Sequence, residues 1–346
     1  MENRLERGKG NKMILISFGT RPEYIKLKPV MDACPQHGKP YKVLYTGQHL
    51  DLLPQEAISY VDIHLEIKNG PNRLDSIVAS LMNQDMTFFD ASRVMVQGDT
   101  TSAFAVALAA FHRKIPVIHL EAGLRTYDND NPYPEEFNRQ AISRLAAVHL
   151  CPSQMDYNNL ITEKVQGSVH VVGNTVLDNL LGVETSYTNK VLITMHRREN
   201  HANLDKWFTV FEKIAVNNPE LNFQFISHPN PNVQKHLHLL NKVYINKPMV
   251  HGDFINFLAD CKFLITDSGG LQEESSFLRK KSIVCRHKTE RNAGLGTFAS
   301  LCHHPEDLER LVEDANENYI IPSDLPCPYG DGHAADKIYK ILKDLS

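Results

Sequence analysis

The chain of 346 residues lacks several features that would assign it to a familiar class of protein. It has no uninterrupted run of about 18 apolar residues, so we expect no membrane-spanning helix and no membrane partner. Its charge is nearly balanced, with 37 Lys and Arg against 41 Asp and Glu, so nucleic acid is not an expected partner. Residues 1–12 are polar and contain no apolar signal-peptide core, so we expect a cytoplasmic protein without a secretory signal.

Metal and cofactor motifs are also missing. The six cysteines form no CxxC pair, which favours reduced cytosolic thiols over a disulfide framework or a zinc site. They are Cys34, Cys151, Cys261, Cys285, Cys302 and Cys327. Although 17 histidines are present, no HExxH or EF-hand pattern occurs, so a metal is the weaker interpretation. No GxGxxG follows a predicted strand, and the Lys-containing P-loop is absent.

What the chain does contain is a repeated alternation of apolar strands and helices, typical of doubly wound parallel sheets. Its length predicts two domains, and the polar, aperiodic segment 184–190 is the most linker-like stretch. We predict an α/β protein whose two Rossmann-like domains face each other across a cleft. The N-terminal domain is predicted over residues 13–172 and the C-terminal domain over 173–333. The terminal helix, 334–346, is expected to pack back on the N-terminal domain.

Three acids follow predicted strands or open predicted helices in one short stretch of the N-terminal half. They are Asp99, Glu121 and Glu135. Because the carboxyl ends of parallel strands meet at one edge of a sheet, we expect these carboxylates to share the ligand site. Three acids at one edge suggest proton-transfer chemistry.

Two of the three acids also have a structural interpretation. Asp99 precedes an Ala-rich helix and could be its N-cap, and Glu135 stands in a first helical turn, which favours acids. Glu121 is harder to explain in this way, because it follows an apolar strand and a buried Glu is uncommon unless it is paired. Arg125 and Arg139 are plausible partners for it.

Two strand-to-helix turns, one in each half, have the chemistry of anion sites. In the first, Pro22 suits the first helical turn, and Arg21 and Lys26 are close by. In the second, residues 268–270 are Ser-Gly-Gly at a helix start, where small residues admit an anion to free backbone amides. An ordinary turn without a ligand is the alternative for each. For the second turn, the basic segment that begins at His196 lies in the same half of the chain and favours anion binding.

This outline suits a diphosphate ligand, with a sugar against the first domain and a nucleoside diphosphate mainly against the second. Sugar-nucleotide epimerases and sugar-nucleotide glycosyltransferases of the GT-B architecture both fit it. The residues alone therefore leave both classes of enzyme open.

Nine segments of the chain resemble the non-hydrolysing UDP-N-acetylglucosamine 2-epimerase family. They read FGTRPEYIKLKPV, TGQHLDLL, GDTTSAFAVALAAF, HLEAGLRT, PEEFNRQ, GNTVLDNL, MHRREN, TDSGGLQEE and YGDG. They follow the family's order and cover nearly the whole chain from Met13. The resemblance implies a GT-B-like fold and interconversion of UDP-N-acetylglucosamine and UDP-N-acetylmannosamine for cell-surface polysaccharide precursors. It also implies a route through 2-acetamidoglucal, no cofactor and a homodimer.

The resemblance implies roles for individual residues. Asp99, Glu121 and Glu135 look like the catalytic carboxylates, and His196 resembles a catalytic diphosphate contact. Glu274 looks like the acid that takes the ribose hydroxyls. Further residues that match substrate-binding positions are Arg21, Lys26, Arg139, Phe254 (beside uracil), Ser268, Gly269, Gly270 and Arg291.

The chain departs from the family at three places, one of which is Met195, where a Gly commonly precedes HRRE. Arg291 is followed by Asn-Ala, where the family usually has Pro-Glu. Leu50 and Asp51 stand where many bacterial members carry an Arg-Gln or Arg-Glu pair of a second, activating substrate site, so we expect no substrate activation. Another 2-acetamido UDP-sugar as substrate, a hydrolysing epimerase that releases N-acetylmannosamine, and a non-catalytic sugar-nucleotide sensor are the alternatives.

Overall fold

The computed structural model describes residues 13–38, 40–48, 55–68, 70–85 and 89–344. The chain divides into two compact units, Met1–Asn179 with Gly332–Ser346, and Leu180–Asp331. Each unit is built on its own parallel sheet with helices packed against it. The predicted α/β class with two doubly wound sheets is confirmed.

The first unit contains a seven-stranded parallel sheet in the order β3-β2-β1-β4-β5-β6-β7. Its strands are β1 (Ile14–Phe18), β2 (Tyr41–Tyr45), β3 (Ile63–His64), β4 (Arg93–Gln97), β5 (Val117–Leu120), β6 (Val148–Cys151) and β7 (Ser168–Val171). Its helices are α1 (Arg21–Ala33), α2 (Gln55–Ile58), α3 (Arg73–Met82), α4 (Thr101–His112), α5 (Glu135–Leu145) and α6 (Gln154–Thr162), with α12 (Ala334–Asp344) from the end of the chain.

The central strands are apolar because helices cover both faces of the sheet. In β1, Ile14 and Ile16 join one buried cluster, which includes side chains of α1 and α12, whereas Leu15 joins another, which includes side chains of α3 and α4. The chain runs from β1 outward to β3 and then returns to the other side of β1 as β4. The point at which the strand order reverses, where doubly wound sheets bind ligands, therefore lies between β1 and β4.

The second unit repeats this plan with six parallel strands in the order β10-β9-β8-β11-β12-β13. Its strands are β8 (Lys190–Thr194), β9 (Asn222–Ile226), β10 (Tyr244–Asn246), β11 (Phe263–Thr266), β12 (Lys281–Val284) and β13 (Ala299–Leu301). Its helices are α7 (Leu204–Asn217), α8 (Pro231–Gln234), α9 (His251–Asp260), α10 (Gly269–Phe277) and α11 (Leu308–Glu317). Here the strand order reverses between β8 and β11.

The last helix, α12, belongs to the first unit, as the sequence predicts. Asp178 accepts hydrogen bonds from the backbone amides of Ala334 at 3.0 Å and Ala335 at 2.8 Å, and so anchors the start of α12. Asn179 donates to the backbone oxygen of Ile25 at 3.0 Å. Because these contacts bind residues 178 and 179 to the first unit, that unit extends to Asn179, whereas the predicted domain ended at residue 172. Across the described parts of the chain, no helix is long and apolar enough to cross a membrane.

Candidate active site

Three candidate site residues of the first unit follow the carboxyl ends of three neighbouring strands. β1 leads through a tight turn to Arg21, β4 leads through Gly98 to Asp99, and β5 leads directly to Glu121. Gln97 and Leu120 are partners in the register of β4 and β5, so Asp99 and Glu121 emerge at the same edge. Adjacent strands lie about 4.8 Å apart, so the two acids occupy neighbouring positions beside the reversal point.

Asp99 is held by a cation from α5. Its Oδ2 lies 2.7 Å from Nη2 of Arg139, and its backbone oxygen accepts a hydrogen bond from Asn138 at 2.9 Å. The N-cap of α4 is Thr100, whose hydroxyl oxygen accepts from the amide of Ala103 at 3.0 Å. The interpretation of Asp99 as the N-cap is therefore wrong, and its carboxylate is committed to Arg139 instead.

Glu121 sits at a strained point of the backbone, with φ of 63°. A non-glycine residue in this region costs of order 1–3 kcal/mol, and such strain clusters at functional sites. Its side chain is nearly buried, contacts Nζ of Lys26, and accepts a hydrogen bond from Gln97 at 2.5 Å. Arg125, one of its two expected partners, instead pairs with Glu163 at 2.7 Å, so that expectation is wrong.

The two acids that open α5 have different surroundings. Glu136 is fully buried and accepts hydrogen bonds from the backbone amides of Thr126 and Tyr127, each at 3.0 Å. It also lies 3.2 Å from Arg139, so it tethers the preceding loop and the arginine that contacts Asp99. The candidate acid Glu135 is half-buried in the first turn of the helix. The sequence Pro-Glu-Glu carries no signal that would separate these two roles.

Glu23 is a buried acid that the sequence reasoning missed. It accepts hydrogen bonds from Gly19 N at 3.0 Å, from the hydroxyl of Thr20 at 2.8 Å and from the hydroxyl of Thr100 at 2.9 Å. It therefore joins the turn after β1 to the turn after β4. Burial raises the pKa of Glu23 to about 7 despite these donors. The Thr-x-x-Glu spacing from Thr20 is a capping-box pattern and could have revealed it.

His119 supports the turn that carries Asp99. It is fully buried in β5, and its Nε2 donates to the backbone oxygen of Gly98 at 2.8 Å. Burial lowers the pKa of His119 to about 3, so the ring is neutral at physiological pH. A neutral donor here fixes the Gly98 carbonyl without adding a positive charge beside the acids.

In the second unit, a buried aspartate organises the turn that follows β8. Asp267 follows β11 and is fully buried. Its carboxylate accepts hydrogen bonds from the amides of His196 at 3.0 Å and Arg197 at 2.8 Å, and from the side chain of Asn200 at 3.1 Å. The loops on both sides of the reversal point are thereby joined. Spacing could not reveal this role, because the partners lie about 70 residues apart in the chain.

His196 is held as a neutral ring. Burial is the main cause that lowers its pKa, although the nearby Asp267 acts in the opposite direction. The ring stacks on that of His228, with centroids 4.9 Å apart. Arg197 places a buried Nε in the same turn, and no partner for this atom exists among the described residues. The fixed positive charge of this turn therefore comes from Arg197 and the exposed Arg198 rather than from His196.

The Ser-Gly-Gly turn stands at the start of α10, and the backbone amide of Ser268 donates to the hydroxyl of Thr266 at 2.9 Å. Ser268 is the N-cap, but its side chain makes no capping hydrogen bond. A Cβ at Gly269 would lie 2.6 Å from Nη1 of Arg291 and from a carboxylate oxygen of Glu290, so a larger residue there would displace the ends of these two charged side chains. A Cβ at Gly270 would meet nothing within 4 Å. The amides at this helix start suit an anion.

Arg291, a predicted substrate contact, lies in a buried network of charges. It contacts Glu290, and its Nε lies 3.4 Å from Glu273. Glu290 also pairs with Arg286 at 2.9 Å, and Arg286 pairs with Glu199 at 2.8 Å. These pairs connect the basic turn after β8 to the loop after β12. The observed contacts give Arg291 a part in shaping the start of α10, and direct substrate contact stays a prediction.

The remaining two candidates of the second unit lie on neighbouring helices. Phe254 is half-buried on α9, and Glu274 is nearly buried on α10. Oε1 of Glu274 lies 2.9 Å from Nε2 of His251, the first residue of α9. Among the described residues, no group of three or more His, Cys, Asp and Glu side chains could hold a metal ion.

The sheet edge of the first unit carries neighbouring carboxylates of the kind that enzymes use for proton transfer, and the second unit has a helix start whose amides suit an anion. Comparison with known families specifies the class. Residues 33–343 match the pattern of the UDP-N-acetylglucosamine 2-epimerase family, and the chain belongs to this family.

Individual relatives are similar over nearly their whole length. The chain is 36% identical to the UDP-N-acetylglucosamine 2-epimerase of Campylobacter jejuni over an alignment 376 positions long. This alignment covers 96% of this chain and 97% of that one. A structure of the Neisseria meningitidis UDP-GlcNAc 2-epimerase bound to UDP-GlcNAc has a TM-score of 0.85 at 32% identity, covering 96% of this chain and all of that one. The S. aureus MnaA structure with UDP has a TM-score of 0.86 at 29% identity and covers 96% of each chain.

Proposed function

We propose that the protein catalyses the reversible C2 epimerisation of UDP-N-acetylglucosamine to UDP-N-acetylmannosamine. The observation that carries this proposal is the pair of acids, Asp99 and Glu121, at neighbouring strand ends of an epimerase-family chain. Each is held by a cation, Arg139 for Asp99 and Lys26 for Glu121. A protein that only sensed sugar nucleotides would have no use for a buried carboxylate on a strained backbone.

The chemistry must solve one problem, because the proton on C2 is not next to a carbonyl group and is not acidic. Elimination solves it. A carboxylate takes the proton from C2, the C1–O bond to UDP breaks with its electron pair leaving on the diphosphate, and a C1=C2 double bond forms. The intermediate is 2-acetamidoglucal. Re-addition of UDP at C1 with a proton delivered to the opposite face of C2 gives the epimer, and no redox cofactor takes part.

The first unit is assigned the proton transfers. Asp99, Glu121 and Glu135 are the candidate acids and bases, and such groups contribute about 10² to 10⁴ in rate. Lys26 and Arg139 orient the carboxylates of Glu121 and Asp99 through their ion pairs. Carboxylates at this edge would also stabilise positive charge that develops on the sugar ring.

The second unit is assigned the uridine diphosphate. The side chain of Ser268 and the amides of Gly269 and Gly270 at the start of α10, together with His196 and Arg197, would take the diphosphate and stabilise it as it leaves C1. Glu274 would accept hydrogen bonds from the ribose hydroxyls, and Phe254 would lie beside the uracil. From the first unit, Arg21 would add charge to the diphosphate contacts.

The test is to incubate the protein with UDP-N-acetylglucosamine alone in D2O and to follow the products by NMR. We expect UDP-N-acetylmannosamine, with deuterium at C2 of both sugar nucleotides at equilibrium. Retention of hydrogen at C2 would rule out the elimination route, and free N-acetylmannosamine as the main product would establish a hydrolysing enzyme. Turnover only with a different 2-acetamido UDP-sugar would identify that sugar as the substrate.

We also propose that the protein is a homodimer, as the family resemblance implies. Light scattering on the purified protein should then give twice the chain mass of 39.2 kDa. A mass of 39.2 kDa across the concentrations used for kinetics would contradict this.

A further inference from the structure

Glu274 has one carboxylate oxygen engaged and the other open. Its Oε1 is 2.9 Å from Nε2 of His251. Among the described residues, no other group bonds to this carboxylate. Although Glu274 is only 5% exposed, its Oε2 remains accessible to solvent. The nearly buried side chain therefore presents a single oxygen outward.

His251 connects the two positions proposed to recognise the nucleoside. It is the first residue of α9, and Phe254 follows it three residues later, which places both on one face of the helix. Its ring is part-exposed, whereas the Glu274 side chain that it contacts is 7% exposed. One histidine thus ties the helix that carries the candidate uracil contact to the candidate ribose acceptor on α10.

We propose that His251 is a positioning residue for nucleotide binding: its Nε2–H holds Oε1 of Glu274 so that Oε2 is presented to the ribose hydroxyls. This rests on the proposed binding of a uridine nucleotide by the second unit. A glutamate side chain that is free to rotate loses conformational entropy when it binds a ligand, and a side chain already held in place loses less. A hydrogen bond to a carboxylate is also stronger than one between neutral groups, so it can hold the rotamer.

The proposal makes a specific kinetic distinction. The ribose is remote from C1 and C2 of the sugar, so its contacts are the same in the ground state and the transition state. Loss of such uniform binding raises KM and leaves kcat unchanged. A residue that only maintained the fold would instead lower thermal stability and affect both constants.

The experiment compares His251→Gln, which keeps an N–H at a similar reach, with His251→Met, which has similar length and no donor. UDP and 2′-deoxy-UDP binding are measured by calorimetry, and Asp253→Asn, an exposed change on the same helix, is the control. We expect His251→Met to weaken UDP binding and raise KM about tenfold, the scale of one hydrogen bond to a charged group. His251→Gln and Asp253→Asn should stay within about twofold of the wild type, and 2′-deoxy-UDP should be affected much less than UDP.

Glu274→Gln separates this inference from the proposed function. If Glu274→Gln weakens UDP binding while His251→Met does not, His251 has no positioning role and the nucleotide site stands. If His251→Met weakens UDP and 2′-deoxy-UDP equally, or lowers the melting temperature in step with affinity, presentation to the ribose is also overturned. If the wild-type protein does not bind UDP at all, both the inference and the proposed function fail.

Discussion

At the scale of single residues, the carboxylate of Asp99 pairs with Arg139 and does not cap a helix. Because Thr100 caps α4 and Arg139 holds the Asp99 carboxylate, Asp99→Asn removes the charge without removing the cap. We expect kcat to fall by about 10²-fold or more, the scale of an acid-base group. UDP affinity should stay within about twofold, because the diphosphate is assigned to other residues.

The measurement needs a control for the loss of one negative charge. Asp205→Asn, at an exposed position in the first turn of α7, provides it and should leave kcat unchanged. Near-normal turnover of Asp99→Asn would remove this acid from the mechanism. The same comparison applies to Glu121→Gln and Glu135→Gln.

Glu23 predicts a pH dependence of stability. Its folded-state pKa is raised by burial to about 7 from an ordinary value of 4.5, so the folded protein binds more protons than the unfolded chain between these values. The stability from this group is fully present below about pH 4.5 and is lost as pH rises through about 7. A shift of this size corresponds to roughly 3 kcal/mol.

Urea unfolding of the wild type and of Glu23→Gln at pH 5 and pH 8 tests this. The wild type should lose stability relative to the variant between the two pH values, by up to about 3 kcal/mol. Asp178, whose pKa burial raises to about 6, is present in both proteins, so its contribution cancels. A stability difference that is the same at both pH values would show that Glu23 does not titrate in this range.

At the scale of elements, the strands that the sequence pattern predicts differ in length and position from those that it misses. The central strands of each sheet, such as Ile14–Phe18 and Phe263–Thr266, are short apolar runs of the kind that indicates a buried strand in a sequence. Three strands have no such run: Ile63–His64, Tyr244–Asn246 and Ala299–Leu301. Each has two or three residues at a sheet edge, where pairing with a neighbour rather than a local apolar run decides the conformation.

The same distinction holds for the site. Turn motifs predicted that Asp99, Glu121 and Ser268 would follow strands, because strand, small residue and helix start are local features. They could not show that Thr100 rather than Asp99 is the cap, since both residue types cap well and the backbone decides. The roles of Asp267 and Glu23 rest on partners about 70 residues or more away, which only the fold brings near.

The loop after β2 bears on regulation. Gln48 accepts hydrogen bonds from the amide of Ser102 at 3.0 Å and from its hydroxyl at 2.6 Å, so it anchors the first turn of α4 beside Asp99. The departures at Leu50 and Asp51 lie outside the described residues. We still expect initial rates that rise hyperbolically with substrate, and a reverse reaction that starts from UDP-N-acetylmannosamine without added UDP-N-acetylglucosamine.

Initial-rate and progress-curve measurements decide this. The family resemblance places Gln48 in the pattern of the second site, and this chain keeps it. A lag or a sigmoid curve that disappears in Gln48→Ala while kcat is kept would therefore show that an activating site survives. Gln48 also anchors α4, so Gln48→Ala is expected to lower kcat in both directions if this anchor is lost. A lower kcat without a change in the shape of the rate curve would agree with the predicted hyperbolic dependence on substrate.

At the scale of the whole molecule, the end of the chain completes the core of the first unit. Ile338 of α12 is fully buried in the cluster that includes Ile14 and Leu27, and Tyr339 donates to the backbone oxygen of Val30 at 2.8 Å. Ile338→Ala should therefore cost about 2–5 kcal/mol of unfolding free energy, the usual range for a buried Ile. The loss should fall on the first unit, although the mutated residue follows the second unit in sequence.

Hydrogen exchange measured by mass spectrometry can locate this loss. Peptides from β1 and α1 should lose protection in Ile338→Ala, whereas peptides from β8 and β11 should exchange as in the wild type, because the two cores share no residues. Lys340→Ala, an exposed change on the same helix, controls for altered helix propensity. Equal loss of protection in both units would mean that they unfold as one cooperative body, and α12 would then stabilise the whole chain rather than the first unit alone.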